Sequence, residues 1–242
     1  MKDKSPENKN KEKNNPLTPD MTPIKLDGGY KTTLLLVRHG ESQGNAKREF
    51  LGHTDKDLSP RGYQQAERCA EFLSYQEIDA IYSSDLKRAY NTAVPHAKMR
   101  NMKIEARKEL REIYAGNWEG MRVEDIIAVN SHEFIDGWRA EFGTFRIPGG
   151  ESVPEVAERI HSEIKRIAEE NVGKTVLVTF HAAAIRAFFG KILNIPTGEL
   201  ADALWFPANA SVSVVYYDGE KLIPGEYSHA DHLLDMVSVI KK

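Results

Sequence analysis

Three predicted strands of this chain are marked by continuous runs of apolar residues and not by alternation of apolar and polar residues. Residues 34–37 form one run, residues 175–180 form another that is apolar or β-branched throughout, and a shorter one lies within 79–83. Such runs are typical of strands that are buried on both faces of a parallel sheet. Near the C-terminus, Asp218-Gly219 separates two segments rich in β-branched and aromatic residues, which predicts a hairpin.

Helical patterns fill the segments between these strands. A Ser-Pro pair opens a predicted helix over residues 59–74, and a capping box opens an amphipathic helix over residues 152–171. Asp85 is expected to cap a third helix, and a fourth begins at Ala182, directly after the last buried strand.

The order of these elements predicts an α/β fold. Strands that alternate with helices favour a three-layer α/β/α sandwich, with a mostly parallel sheet flanked by helices and a C-terminal hairpin. Residues 113–148 lack strand alternation, which predicts a small helical lid insertion over the carboxyl edge of the sheet.

Composition sets the domain organisation. Residues 1–30 are rich in Lys, Asn, Glu and Pro and predict a disordered N-terminal tail, whereas residues 31–242 predict a single domain. The formal net charge is −3, so neither nucleic acid nor a membrane is an expected partner. No run approaches the roughly 20 apolar residues of a membrane span, no secretory signal is evident, and there is one cysteine, which favours the cytoplasm.

The chemistry begins where the first apolar run ends. Arg38 and His39 follow that run at the edge where open α/β sheets place their active sites, and Gly40 allows a sharp turn. Arg38 stays protonated and presents a planar set of donors suited to phosphate oxygens. The sequence therefore predicts a phosphate site.

Further motifs follow in a fixed order. They are Glu41-Ser42-Gln43-Gly44-Asn45, Ser83-Ser84-Asp85-Leu86-Lys87-Arg88-Ala89, Leu110-Arg111-Glu112 ahead of Gly116-Asn117-Trp118-Glu119-Gly120, Pro148-Gly149-Gly150-Glu151-Ser152, and Val176-Leu177-Val178-Thr179-Phe180-His181. Together with Arg38-His39-Gly40 they resemble the histidine phosphatase superfamily, which contains cofactor-dependent phosphoglycerate mutases and many phosphatases. The resemblance spans residues 32–227.

The resemblance implies a role for each site residue. His39 would be the nucleophile that forms a phosphohistidine, with the proton held on its other ring nitrogen. Arg38 and Arg88 would clamp the phosphoryl oxygens, while Asn45 and His181 would add donors. We expect the helix that carries Arg88 and the helix after His181 to point backbone donors at the same anion.

Glu112 would be the general acid and would then activate the water that cleaves the phosphohistidine. Glu119 and Glu151 are alternative acids, although surface or capping roles suit them better, and Glu41 is expected to shape the turn after His39. The resemblance implies a small phosphorylated substrate, and neither a metal ion nor a cofactor.

Two departures from the family pattern affect the site. Relatives usually have glycine after the second histidine, whereas this chain has Ala182, and Leu51 stands where relatives often have a polar residue. The insertion carries Arg122, Arg139 and Arg146 but no lysine, and its short length favours a phosphatase over a phosphoglycerate mutase. A catalytically silent binder of phosphorylated ligands is a third possibility, and the sequence leaves open whether the protein is a monomer or a homodimer.

Other polar residues are expected to be structural. Asn209 matches a glycosylation acceptor but is expected to position the loop before the hairpin. A polar C-terminal loop explains His229, Asp231 and His232 better than a metal site does. Aromatic residues of the insertion either line the pocket or form the insertion's own core: Trp118, Trp138, Phe142 and Phe145.

Overall fold

The computed structural model describes residues 19–130, 146–234 and 236. It contains a six-stranded sheet in the order β4-β3-β6-β1-β7-β8 and a two-stranded sheet of β2 and β5. The strands are β1 Thr32–Arg38, β2 Glu49–Phe50, β3 Ala80–Ser84, β4 Ile104–Arg107, β5 Met121–Arg122, β6 Lys174–Phe180, β7 Val212–Tyr217 and β8 Leu222–Pro224. In the large sheet β1, β3, β4 and β6 run parallel to one another, β7 pairs with β1 in the antiparallel direction, and β7 and β8 form the antiparallel hairpin.

Helices cover both faces of the large sheet. They are α1 Gln43–Ala46, α2 Pro60–Phe72, α3 Lys87–Arg100, α4 Val123–Val129, α5 Val153–Glu170, α6 Ala182–Ile192 and α7 Leu200–Ala203. Short 3₁₀ turns occupy Leu73–Tyr75, Lys108–Leu110, Gly116–Trp118, Thr197–Glu199 and Asp231–Leu233.

The two faces of β1 enter two different cores. Leu34 and Leu36 belong to the cluster that contains α5 and α6, whereas Leu35 and Val37 belong to the cluster that contains α2 and α3. All four side chains are fully buried. This is why the strand reads as a continuous apolar run, and the predicted mostly parallel α/β fold is confirmed.

Helix starts follow the predicted caps with one exception. Ser59 accepts a hydrogen bond from the N–H of Gly62, and Ser152 forms a reciprocal capping box with Glu155. Asp85 does not cap α3, so that prediction was wrong. Its carboxylate instead forms a bidentate ion pair with Arg111, at 2.7 Å for both bonds.

The folded domain begins earlier than residue 31, where the composition placed its boundary. Ile24 is buried against the α2–α3 side of the sheet, and its carbonyl accepts a hydrogen bond from Gln76 Nε2 at 2.9 Å. Apolar side chains spaced through a polar segment thus anchor residues 19–30. The rest of the predicted tail, residues 1–18, lies outside the described residues.

The start of the insertion packs onto the domain. Strand β5 pairs with β2, and Trp118 is buried in the main core with its ring 5.9 Å from that of Phe50. Trp118 therefore belongs to the core. The other three aromatic residues considered as pocket lining lie outside the described residues, as does the rest of the insertion over 131–145. None of the helices that the structure describes has the length and apolar content to cross a membrane.

Two histidines of the C-terminal segment pack against Phe72 of α2, and a third histidine is buried on α3. His229 and His232 stack on the ring of Phe72, with ring centroids 5.1 and 4.4 Å away. His96 on α3 is fully buried, and neither of its ring nitrogens has a hydrogen-bond partner among the described residues. Burial, with the charge of Arg100 and the neighbouring His232, lowers the pKa of His96 to about 3. The ring is therefore neutral near neutral pH.

Acidification should destabilise the protein through His96. The unfolded chain binds this proton near pH 6.5 but the folded chain only near pH 3, so the free energy of unfolding falls as the pH drops through that window. Between about pH 6.5 and 4.5 the loss is on the order of 2 kcal/mol for this residue. Urea unfolding at both pH values should show a smaller loss for His96→Leu than for the wild type. His161→Leu, which changes a half-buried ring, is the control, and equal losses in all three proteins would contradict the assignment.

Candidate active site

The carboxyl ends of three neighbouring strands bring the predicted site residues together. His39 follows β1 and His181 follows β6, and the N–H of His39 donates to the Phe180 carbonyl at 2.9 Å. The two imidazole rings are 5.2 Å apart between centroids, at an angle of 60°. Strand β3, on the other side of β6, ends at Ser84 and leads into the helix that carries Arg88.

Gly40 is needed because of close packing and not because of its own dihedral angles. Its φ lies in the ordinary negative range, but a Cβ atom here would lie 2.4 Å from the carbonyl oxygen of Gly62. A side chain would therefore push the start of α2 away from the turn that holds His39. Glu41 supports the same turn, as predicted, since it accepts a hydrogen bond from the Ser59 hydroxyl at 2.7 Å.

The hydrogen bond of His39 fixes which of its ring nitrogens carries the proton. Its Nδ1 lies 2.6 Å from the carbonyl oxygen of Gly40, so Nδ1 carries the proton and donates it to that acceptor. Burial, together with the charges of Arg88 and Arg38, holds the pKa of His39 well below its usual range. The imidazole is therefore neutral, and the lone pair of Nε2 is free.

Arg38 supplies a buried cation beside this ring. Its Nη1 donates to the carbonyl of Pro207 at 2.6 Å, while Nε is buried without a hydrogen-bond partner in the described part of the chain. Burial lowers the pKa of Arg38 to about 10, against the opposing effect of Glu112. The guanidinium thus stays charged at neutral pH and keeps unused donor capacity.

Arg88 is the second buried cation. Nη1 donates to the carbonyl of Thr54 at 2.9 Å, and Nη2 donates to that of Gly52 at 2.7 Å. Burial lowers the pKa of Arg88 to about 10, and the charge of Glu112 again opposes the change. The loop after β2 therefore fixes the guanidinium from one side, a contact that no sequence motif indicated.

Asn45 is fixed through its oxygen. Its Oδ1 accepts the N–H of Ser42 at 3.0 Å in a reciprocal capping box at the start of α1. This arrangement leaves the amide nitrogen outside the capping box. Asn209 is buried, and its Nδ2 donates to the His39 carbonyl at 3.0 Å, which confirms that it positions a loop. Leu51 is buried against Gly44 of the same helix.

Glu112 lies at the N-terminus of α6. Its two carboxylate oxygens accept the N–H groups of Ala183 at 3.1 Å and Ala184 at 2.9 Å, and one also accepts the N–H of Ile113. Two of the backbone donors that were expected to point at a bound anion are therefore occupied by a carboxylate of the protein. A carboxylate of the protein takes that place because it is the nearest anion to the helix end.

The same happens at the start of α3. The N–H of Lys87 donates to the carboxylate of Asp55 at 2.8 Å, so the protein's own anion also meets this helix end. In the described part of the chain, carboxylates of the protein therefore accept backbone N–H groups at the starts of both α3 and α6.

Arg159 on α5 holds the segment that presents Glu112. Its Nη1 donates to the carbonyls of Glu109 and Arg111, at 2.8 and 2.9 Å, and its Nη2 donates to that of Glu112 at 3.2 Å. The same guanidinium pairs with Glu151 at 2.8 Å. Sequence reasoning missed Arg159, because only the fold brings it to the loop at 109–112.

Both alternative acids are engaged elsewhere. Glu151 binds Arg159 and the N–H of Tyr114 at 2.8 Å. Glu119 accepts the N–H groups of His53, Thr54 and Ala115 and the hydroxyl of Thr54, at 2.7–2.9 Å. Each carboxylate therefore organises a loop. Among the described residues no group of three or more His, Cys, Asp or Glu side chains is arranged to hold a metal ion.

Comparison with known proteins identifies the family. The sequence profile of the histidine phosphatase superfamily, branch 1, matches residues 34–226, which is most of the chain. The chain belongs to the histidine phosphatase superfamily.

Some relatives of this histidine phosphatase are named as phosphoserine phosphatases and others as phosphoglycerate mutases. Phosphoserine phosphatase 1 of Hydrogenobacter thermophilus is 34% identical over 186 residues, which cover 76% of this chain and 86% of the relative. A metal-independent phosphoserine phosphatase of Arabidopsis thaliana is 34% identical over 84% of this chain and 83% of its own. A probable phosphoglycerate mutase of Salmonella choleraesuis is 32% identical over 81% of this chain and 94% of its own.

Solved structures agree with the fold. A mycobacterial glucosyl-3-phosphoglycerate phosphatase in complex with VO3 is 28% identical, with a TM-score of 0.73 over 81% of this chain and 98% of its own. The protein YhfR of Bacillus stearothermophilus is 28% identical, with a TM-score of 0.78 over 84% and 99%. The predicted family, fold and enzyme class, a phosphatase, are thereby confirmed.

Proposed function

We propose that this histidine phosphatase hydrolyses a small phosphomonoester through a phosphohistidine on His39, without a metal ion. The observation that carries the proposal is the ring of His39. Its Nδ1 donates to the Gly40 carbonyl, so Nε2 is unprotonated at the ends of the strands, in the electrostatic field of two buried guanidinium groups. This arrangement is suited to attack on a phosphoryl group.

In the first step, the lone pair of His39 Nε2 forms a bond to phosphorus while the bond from phosphorus to the substrate oxygen breaks. Arg38 and Arg88 neutralise the phosphoryl oxygens, and Asn45 and His181 donate to them. Glu112 takes up a proton as the phosphoryl dianion binds beside it, and it gives that proton to the leaving alcohol.

In the second step, water attacks the phosphohistidine. The Glu112 carboxylate takes a proton from the water, the new oxygen bond to phosphorus forms, and the bond to Nε2 breaks. Inorganic phosphate leaves, and His39 returns to its neutral form. Both half-reactions balance with these groups alone, and the proposal assigns no step to a metal ion or a cofactor.

The names of the relatives support a small phosphomonoester as the substrate, and they also support a phosphoglycerate mutase as the second candidate. Several relatives are phosphoserine phosphatases, one of them described as metal-independent, so phosphoserine is the first substrate to test. The probable phosphoglycerate mutase among them keeps a mutase as second candidate. An isomerisation assay with 3-phosphoglycerate separates the two, because a mutase returns an isomeric phosphoglycerate and a phosphatase releases phosphate.

The wild-type protein should form a phosphohistidine. We expect a substrate labelled in its phosphoryl group, mixed with the protein in excess chelator and quenched in alkali, to leave label on the peptide that contains His39. The label should survive alkali and be lost in mild acid, as a phosphoramidate is. Label stable in acid, or turnover that stops with the chelator and returns with a divalent cation, would refute the proposal.

A further inference from the structure

The two ring nitrogens of His181 have different surroundings. Nε2 lies 2.8 Å from the hydroxyl oxygen of Ser84, at the end of β3. Nδ1 is buried and has no hydrogen-bond partner among the described residues. Burial, with the charge of Arg88, holds the pKa of His181 well below its usual range. The neutral ring therefore carries one proton, on either Nδ1 or Nε2. The tautomer decides which nitrogen can donate to a ligand.

The hydrogen bonds of Ser84 favour one tautomer. Its oxygen already faces one donor, the N–H of Leu86 at 3.4 Å. In the described part of the chain, Nε2 of His181 is the acceptor within reach of the Ser84 hydroxyl proton. A proton on Nε2 would give Ser84 two donors and leave its own buried proton without an acceptor. Because a buried unsatisfied group is costly, the hydroxyl should donate to Nε2, and the ring proton should lie on Nδ1.

We propose that Ser84 is a positioning residue that holds His181 in the Nδ1–H tautomer, so that Nδ1–H donates to the phosphoryl group. The identity of the ligand rests on the proposed function, whereas the tautomer does not. The buried Nδ1, which has no protein partner, is then a donor kept for the substrate. With the opposite tautomer the same atom would direct a lone pair at an anion and repel it.

Nitrogen NMR on the wild-type protein tests the tautomer directly. With uniformly ¹⁵N-labelled protein near pH 7.5, we expect the His181 pattern to show a protonated Nδ1 and an unprotonated Nε2. The spectrum of His181→Gln identifies the signals among the eight histidines of the chain. A proton on Nε2, or protons on both nitrogens, would overturn the proposal.

Ser84→Ala tests whether the hydroxyl sets the tautomer. We expect the His181 signals to move toward the Nε2–H form, and kcat/KM for phosphoserine or an aryl phosphate to fall about 10- to 100-fold. Ser84→Thr, which keeps a hydroxyl, should restore the wild-type pattern. Ser83→Ala is the matched control, because it removes a neighbouring buried hydroxyl that donates to a backbone carbonyl, and its His181 spectrum should not change.

The two proposals fail in different ways. An unchanged Nδ1–H signal in a folded Ser84→Ala would overturn the role of Ser84, even if the phosphohistidine forms on His39. If the label does not form on His39 while the tautomer responds as expected, the proposed function fails instead. Should Ser84→Ala not fold, the wild-type spectrum still decides the tautomer.

Discussion

His39→Ala should lower kcat for a phosphomonoester by about 10⁴-fold or more, because it removes the nucleophile and leaves only binding and charge stabilisation. The effect should be this large because the ring is pre-set, with Nδ1 fixed on the Gly40 carbonyl and Nε2 free beside two buried cations. Steady-state rates in excess chelator, with phosphoserine and with an aryl phosphate, give the measurement.

A histidine outside the site provides the control for His39. His161 lies on α5, half-buried, and His161→Ala should keep wild-type turnover. Far-UV circular dichroism of both variants checks the fold. If His39→Ala keeps more than about a tenth of the wild-type rate, in place of the loss expected for a missing nucleophile, then His39 does not carry the phosphoryl group.

Glu112→Gln should lower kcat by about 10²- to 10⁴-fold for an alkyl phosphate, because the alcohol then leaves without a proton. For an aryl phosphate with an acidic leaving group the loss should be much smaller, since such an alcohol departs unprotonated. The ratio of the two losses is the informative quantity. A purely structural role of the carboxylate would lower both rates equally.

That distinction matters because Glu112 also has a structural role. Its oxygens accept the N–H groups of Ala183, Ala184 and Ile113, and glutamine can replace only part of this pattern. Glu119→Gln is the matched control, because that carboxylate also accepts several loop N–H groups. It should lower the midpoint of thermal unfolding without changing the ratio between alkyl and aryl substrates. Equal losses for both substrates in Glu112→Gln would exclude it as the general acid.

The predictions for His39 and Glu112 both depend on the buried charges of Arg38 and Arg88. Arg38 and Arg88 are both buried, and each donates hydrogen bonds to backbone carbonyls. These neutral acceptors do not neutralise the positive charge of the guanidinium groups. Burying a cation without a full counter-charge is costly, and Glu112 offsets part of that cost. In the proposed mechanism, a phosphoryl dianion binds to guanidinium groups that are already held in place by backbone carbonyls.

Local sequence signals were reliable where short-range chemistry sets the structure. The Ser-Pro start of α2 and the capping box of α5 depend on bonds within one helical turn, and both are present. Asp85 had the same local signal but lies within reach of Arg111, far along the chain, and the bidentate ion pair takes precedence over the cap. A residue type predicts a cap only if no stronger partner comes near it in space.

The sequence by itself determined the strand that carries Arg38 and His39, because a run of apolar residues is a local signal. It also determined the mostly parallel sheet and the family, because the alternation of elements and the order of the motifs can be read along the chain. Tertiary structure alone decided that Glu112 caps α6, that Arg159 holds the segment of Glu112, and that Ser84 meets His181. These contacts join residues distant in the chain, and their geometry is set by how β3, β6, α5 and α6 pack. Only the packed fold fixes such distances, because the energy of each contact depends on the burial of both partners.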